Sequence, residues 1–381
     1  MLASEILFWA GAAALLGTYI VYPLSMPLLA RLLGRDHRTD DIRPAATLII
    51  SAYNEAEVIR AKLDNALALD YPADRLQVMV ISDASDDATD DIVREYADRG
   101  VTLKRLEPRG GKSRGLTRFV PEANGEILIF SDANSMYDPR ALRRLARHFA
   151  DPHIGYVVGH QRYVAEDSAV SESEGTYWNI EIALKRSEGR LGSVVGGDGA
   201  IYAIRAELFA PLADEDISDF VNPLQIVARG YRGVFEPGAF CYEKAATSFE
   251  GEFRRKVRIV NRALRGLARV PAVLNPLRTG WFAYQILLHK VLRWFTPYFL
   301  AGALAGNLGV LYFGGGGLYI GALWIQAAFY ALAALRLVPR IGQVKLVYLP
   351  YFFCLSSVAA LLGTLSVLAG RQFVTWRPER G

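Results

Sequence analysis

The chain has 381 residues, with 43 Lys and Arg against 39 Asp and Glu and a net charge of +4. Its basic residues are clustered rather than spread, which argues against a nucleic-acid partner. Its two cysteines, Cys241 and Cys354, lie far apart in unlike surroundings, so neither a disulfide framework nor a thiolate metal site is expected, and the globular part should face a reducing compartment.

Residues 6–30 carry no charge, a length that can span a bilayer and exceeds the apolar stretch of a signal peptide. Thr47-Leu48-Ile49-Ile50 then reads as a buried strand ending at Ser51-Ala52-Tyr53-Asn54-Glu55, and 55–69 has helical spacing. Residues 77–81 form a second expected strand, ending at Ser82-Asp83-Ala84-Ser85. The next helix, 86–96, opens with acids, as a helix dipole favours. A third strand is expected at 101–106. Arg109-Gly110-Gly111-Lys112 opens another helix, and 127–130 is the fourth strand. Strands alternating with helices of this length predict a mostly parallel, doubly wound α/β sheet.

Beyond the sheet, Phe253, Val257, Val260, Leu264 and Leu267 fall on one helical face. Arg254, Arg255, Lys256, Arg258, Arg262, Arg265 and Arg269 cover the rest. This amphipathic helix is expected to lie in the anionic headgroup layer, and so is a second one at 285–295. Residues 296–335 carry no charge and are interrupted by Gly314-Gly315-Gly316-Gly317, which predicts two spans and a tight turn. Residues 346–370 make another.

The expected plan is a membrane helix and basic linker at 1–43, a globular domain at 44–250, interfacial helices at 251–295, and about three spans with a short tail at 296–381. Arg31, Arg35 and Arg38 follow the first span, and Arg336, Arg340 and Lys345 follow the third, which puts both groups in the cytoplasm. Four spans would leave both termini outside, whereas Arg371, Arg377 and Arg380 pull the tail the other way.

Three acids stand in strand-end or turn settings: Asp83, Asp132 and Asp219. Open α/β sheets bind ligands at the carboxyl edge of their strands. Asp132 follows Ile127-Leu128-Ile129-Phe130-Ser131 and suits Mg²⁺ or Mn²⁺, with Asn134 a neutral oxygen donor two residues on; such ions take one or two carboxylates plus substrate phosphates. Asp83 could accept hydrogen bonds from a base or ribose, although Asp86 and Asp87 fit a helix cap as well. Arg109-Gly110-Gly111-Lys112 could meet a diphosphate and is not a Walker loop. Asp219 is the candidate general base at a helix start, with Asp214, Glu215 and Asp216 as competitors. The histidines His37, His148, His153, His160 and His289 have no metal-ligand spacing. The absence of Gly-x-Gly-x-x-Gly after the first strand counts against a Rossmann dehydrogenase.

In this order these residues resemble the family 2 glycosyltransferases of the GT-A fold, in particular the membrane-embedded cellulose, chitin-oligosaccharide and poly-N-acetylglucosamine synthases. The resemblance runs from about Thr47 to Arg269. It implies that Ala52, Tyr53 and Glu55 touch the uridine and that Asp83 contacts the nucleotide. Lys112 matches a Gly-Lys after the third strand, and Asp132-Ala133-Asn134 matches the Asp-x-Asp metal motif. Gly197-Asp198-Gly199 resembles the glycine segment near the acceptor. Ser218-Asp219 resembles the Glu-Asp motif whose Asp is the base. Ser82, Ser218 and Asn134 stand where acids are usual. The Gln-x-x-Arg-Trp motif of processive synthases is degraded to Arg255-Lys256-Val257-Arg258-Ile259, which makes Arg258 the acceptor-side candidate and leaves single transfer as open as polymerisation.

The resemblance implies an inverting, metal-dependent transferase in the bacterial inner membrane, with a cytoplasmic catalytic domain. The expected donor is a nucleotide sugar, UDP-linked, and the acceptor a lipid-linked or polysaccharide chain. Membrane lipids and other polysaccharide-assembly proteins are the expected partners. The alternatives are a polyprenyl-phosphate, ceramide- or hopanoid-type sugar transferase, and a non-catalytic nucleotide-binding sensor.

Overall fold

The computed structural model describes residues 1–164, 170–244, 249–338 and 344–375. Arg340, Arg377 and Arg380 of the charge argument therefore lie outside the described residues. By contacts the chain divides into two compact units.

The larger unit covers 26–247, 262–285 and 372–381. Its strands are β1 (Ala46–Ala52), β2 (Leu76–Ser82), β3 (Val101–Arg105), β4 (Ile127–Asp132), β5 (Met136–Tyr137), β6 (Ile154–Val164), β7 (Tyr202–Arg205) and β8 (Arg232–Lys244). They form one sheet in the order β3-β2-β1-β4-β7-β6-β8-β5. β3, β2, β1 and β4 run parallel, as the alternating pattern predicts. β7 runs against β4 and β6, and β5 runs against β8, so the sheet is mixed but mostly parallel.

β1 is buried at every position, which explains its unbroken apolar run rather than an alternating one. Leu48, Ile50, Val78, Val80, Ile127 and Ile129 pack with Ile59 and Leu63 of the helix Ile59–Leu67 and with Leu142 and Leu145. Each such side chain contributes about 1.5–3 kcal/mol by leaving water. The register aligns Ser51 with both Ile81 and Asp132, so the carboxyl ends of β1, β2 and β4 open on one edge.

The smaller unit covers 1–25, 248–261 and 286–371. Close backbone approach holds its helices: a Cβ on Gly306 would lie 2.5 Å from the Phe8 nitrogen, and one on Gly11 2.7 Å from the Phe299 carbonyl. Tyr298 and Thr364 share a hydrogen bond at 2.7 Å, and Asn261 donates to Ser366 at 2.7 Å. Three helices are long and apolar enough to cross a membrane: Leu2–Leu33, Gly317–Leu335 and Leu346–Leu368. The segment after Thr296 forms a helix of 17 residues, Thr296–Tyr312. A Cβ on Gly111 would stand 2.5 Å from the Val374 carbonyl oxygen, so the tail lies against the sheet-bearing unit.

The helix Phe249–Arg269 begins in the smaller unit and ends in the larger. Its arginines do not all face outward. Arg262 donates to the Glu215 carbonyl at 2.9 Å and to that of Asp216, and Arg269 pairs with the Glu215 carboxylate at 2.9 Å and with Asp216. Part of the charge read as headgroup-binding therefore grips the turn before residue 219.

Candidate active site

The two turns at the carboxyl ends of β1 and β2 are held as one piece. Asn54 and Ala84 both adopt left-handed backbone, with φ of 54° and 55°. Asparagine tolerates that region, whereas alanine pays a steric penalty for it. Cross-links compensate. The Asn54 amide nitrogen donates to Asp86 at 2.5 Å, the Asp86 N–H donates to the Asn54 side-chain oxygen at 3.0 Å, and the Asn54 N–H donates to Ser85 Oγ at 3.1 Å. Asp87 accepts the Thr89 and Ala56 N–H groups at 2.9 and 3.1 Å. The helix cap read into these acids is thus also a clamp on the first turn.

Asp83 is buried. Its Oδ1 accepts the N–H groups of Gly110 and Gly111 at 2.8 and 2.9 Å, and its Oδ2 meets Arg109 Nε at 3.4 Å. The Arg109 guanidinium lies 3.4 Å from the centre of the Tyr53 ring. Ala52 is buried and accepts the Asp83 N–H at 2.9 Å. Asp83 therefore orients the glycine loop. Glu55 is half-buried, and its N–H donates to Thr89 Oγ1 at 2.7 Å.

Lys112 begins the helix Lys112–Phe119 just after Gly111, whose φ of 88° needs a residue without a side chain. Its ammonium meets Asp132 Oδ1 at 2.5 Å. Burial opposes that charge, but Asp132, with Asp219 and Glu243, outweighs it and holds the ammonium pKa above its ordinary value.

Gly197, Asp198 and Gly199 lead into β7. A Cβ on Gly199 would stand 3.6 Å from Asp132 Oδ2 and 3.7 Å from Asp219 Oδ2. The Gly197 N–H donates to the Asp219 carbonyl. Burial holds the Asp198 carboxyl above its ordinary range; Lys185 pulls it down, and Asp219 and Asp132 push it up. Asp219 lies in the first turn of the helix Ser218–Ala228, whose N-cap is Ile217, so neither Ser218 nor Asp219 is the capping residue. Asp216 is buried and bound by Arg269, and its carboxylate also accepts the Ala213 N–H at 2.8 Å. That commitment removes it as a rival base.

Lys112, Asp132, Asp198, Gly199 and Asp219 thus meet in one place, and Ala52, Tyr53 and Asp83 gather around the glycine loop beside it. Asn134 is exposed one turn beyond Asp132. Arg258 belongs to the other unit. Among the described residues no three His, Cys, Asp or Glu side chains converge as a ready-made metal cage. The donor set still fits Mg²⁺ or Mn²⁺, because such ions need only one or two protein oxygens when a diphosphate supplies the others.

Sequence reasoning missed Glu243 and Lys62. Glu243 ends β8, bonded to Ser135 Oγ and, at 2.5 Å, to Gln161. Burial and then Asp132 push its carboxyl up to about 7. Lys62 is fully buried, donates to the Ser135 carbonyl and sits 4.0 Å over the Tyr137 ring. Burial brings its ammonium down to about 7. Both side chains bond Ser135, in the turn after Asp132.

The mostly parallel sheet, with acids and a lysine gathered at its strand ends, has the fold of the GT-A type glycosyltransferases. Residues 47–209, less than half of the chain, match the Glycosyl transferase family 2 model. Poly-beta-1,6-N-acetyl-D-glucosamine synthase of Staphylococcus aureus is 25% identical over 251 residues, 64% of this chain and 60% of the relative. Probable glycosyltransferase YdaM of Bacillus subtilis is 27% identical over 230 residues, 56% of this chain and 54% of the relative. The chain therefore spans about 60% or less of the length of these curated relatives. Mannosyltransferase PcManGT from Pyrobaculum calidifontis, in complex with GDP-Man and Mn2+, superposes with a TM-score of 0.72 at 23% identity, over 97% of this chain and 100% of that one. That likeness is one of fold.

Proposed function

We propose that this chain is an inverting, metal-dependent glycosyltransferase of a bacterial inner membrane, working from the cytoplasmic side. Its globular domain at 44–250 is the catalytic part, with interfacial helices at 251–295 and membrane segments on either side. The donor is a nucleotide sugar, UDP-linked, and the acceptor is a lipid-linked or polysaccharide chain. The synthase relatives support the acceptor class, and the Mn2+ in the structural neighbour supports a divalent ion.

One observation carries the reading: Asp132 and Asp219 oxygens lie within 3.7 Å of a single point beside Gly199. The chemistry needs the leaving diphosphate neutralised on one side and a proton removed on the other. Lys112 meets the first need from the start of its helix, where backbone N–H groups also favour anions. Asp132 and Asn134 would hold a divalent ion, which supplies further positive charge to the leaving group. Asp219 takes the proton of the acceptor hydroxyl, and Asp198 and Gly199 position that hydroxyl. Ala52, Tyr53 and Glu55 frame the nucleotide base, and Asp83 holds the loop on which Lys112 stands.

The test is nucleotide release from a panel of UDP- and GDP-sugars by the full chain in native lipid, followed by mass spectrometry of the lipid fraction. Release from one donor with a single-sugar mass gain supports one-step transfer, and a ladder of gains supports a synthase. Nucleotide binding without release from any donor sinks the enzymatic assignment and favours the sensor.

A further inference from the structure

A second charged cavity lies in the sheet-bearing unit. It encloses about 480 Å³ and is lined by His160 and Arg162 of β6, Ile182, Ala183 and Arg186 of the helix Val170–Leu191, and Pro237 and Gly238 of β8. Among the described residues no carboxylate lines it. Glu236, next to Pro237, is committed elsewhere, bonded to His148 at 2.9 Å and Arg147 at 2.8 Å. Arg162, Lys185 and Arg186 form no salt bridge with a described carboxylate. Arg162 is instead stacked 3.8 Å from the centre of the Phe240 ring, which fixes its guanidinium plane. Lys185 stands 5.6 Å over the Phe235 ring.

Among the described residues Arg162 and Arg186 pair with no carboxylate, and like charges set close together carry a cost that a fold accepts where an anion is to be bound. Burial, then Arg162, Lys185 and Arg186, push the His160 imidazole down to about 4, so it stays neutral and offers an N–H donor. Ile182, Ala183 and Pro237 give the lining an apolar part. The cavity therefore suits a phosphorylated group that continues into hydrocarbon. It also neighbours the chemistry, since Lys185 is close enough to pull on the Asp198 carboxyl beside Asp219.

We propose that this cavity binds the phosphate or diphosphate ester of the acceptor, with Arg162 and Arg186 as its ligands. The inference rests on the glycosyl-transfer reading and adds to it the acceptor class. A planar guanidinium matches phosphate oxygens in pairs, which suits Arg162 better than a lysine there.

The experiment titrates the full chain in phosphatidylcholine nanodiscs with farnesyl phosphate, farnesol and inorganic pyrophosphate, each with UDP present to occupy the Lys112 end. Farnesyl phosphate should bind at least tenfold tighter than farnesol, and Arg162→Gln should abolish most of that difference. Arg186→Gln, at an exposed position that leaves the fold alone, should weaken it several-fold. Equally tight, Arg162-dependent binding of pyrophosphate supports the cavity as an anion site and assigns it a free anion. Binding of farnesyl phosphate alone supports it and assigns a lipid-linked one. Equal affinity for farnesol and farnesyl phosphate, or affinity untouched by both variants, overturns the proposal. Nucleotide release from the donor-sugar panel, measured on the same protein, tells that failure apart from failure of the transferase reading.

Discussion

Asp132 and Asp219 face each other across Gly199, with their Oδ2 atoms 3.6 and 3.7 Å from where a methyl group on that glycine would be. These are ordinary contact distances, so Gly199→Ala should fold. The added methyl would stand in the space between the two carboxylates. Transfer should fall roughly a hundredfold, as small misplacements at reacting centres do, with UDP affinity little changed. An active Gly199→Ala variant would mean that the reacting atoms lie elsewhere.

Asp219→Asn keeps the shape of the side chain and removes its basicity. Turnover should drop roughly 10²–10⁴-fold while donor binding persists. Single-turnover sugar transfer together with a nucleotide-binding titration checks this. A silent substitution would point to an acceptor that ionises without help, such as a phosphate.

Lys112→Met removes the cation paired with Asp132. The expected result is a fall of about 10²–10³ in turnover, because a preorganised positive group facing developing charge is lost. Chelation of divalent ions in the unsubstituted enzyme should also stop turnover, with recovery on adding Mn²⁺ or Mg²⁺. The two losses should not multiply if both serve the same diphosphate.

Ala84 bears a left-handed φ of 55° that only glycine adopts freely. Ala84→Gly should stabilise the larger unit by roughly 0.5–1 kcal/mol, the steric relief exceeding the extra chain entropy. Thermal melting of the two proteins at neutral pH decides it. A lower melting temperature would show that the clamp of Asn54, Ser85 and Asp86 already absorbs the strain.

His37 shares a hydrogen bond of 2.6 Å with His148, which is bonded in turn to Glu236. Burial, then His148 and Arg232, hold the His37 imidazole below its ordinary value, against Asp151 and Asp36. The unfolded chain therefore takes up this proton first as pH falls below about 6.5, and stability should decline on acidification from there. The decline is at most about 1.4 kcal/mol per pH unit from one group. Melting temperatures from pH 7.5 to 5 should fall less steeply for His37→Gln than for the unsubstituted protein.

The half of the sheet made by β1 to β4 was legible because each of those strands is a short apolar run ended by polar turn residues. The half made by β6, β7 and β8 was not. β8 carries Pro237 and Gly238 in its middle, and the register between β6 and β8 shifts between Val158 and His160. Asp132, Lys112 and Asp219 could be picked out because each follows a local signal. Glu243 has none, since its partners Ser135 and Gln161 lie far from it in sequence. Lys62 sits in an ordinary helical pattern, and only the packing of Tyr137 over it makes it special. The helix Phe249–Arg269 was read by composition as facing lipid headgroups. Its arginines at 262 and 269 found acids of their own chain at Glu215 and Asp216, which no periodicity announces.

The reciprocal bonds between Asn54 and Asp86 carry an implication for descent. Each side chain supplies what the other's needs, and the same pair welds two turns that come from different strands. A change at one position leaves the other with an unmet group and loosens both turns together. Inheritance should therefore treat the two residues as one letter: lineages will keep both, or replace both in a single compensated step, and chains that have altered only one should be hard to find among active enzymes.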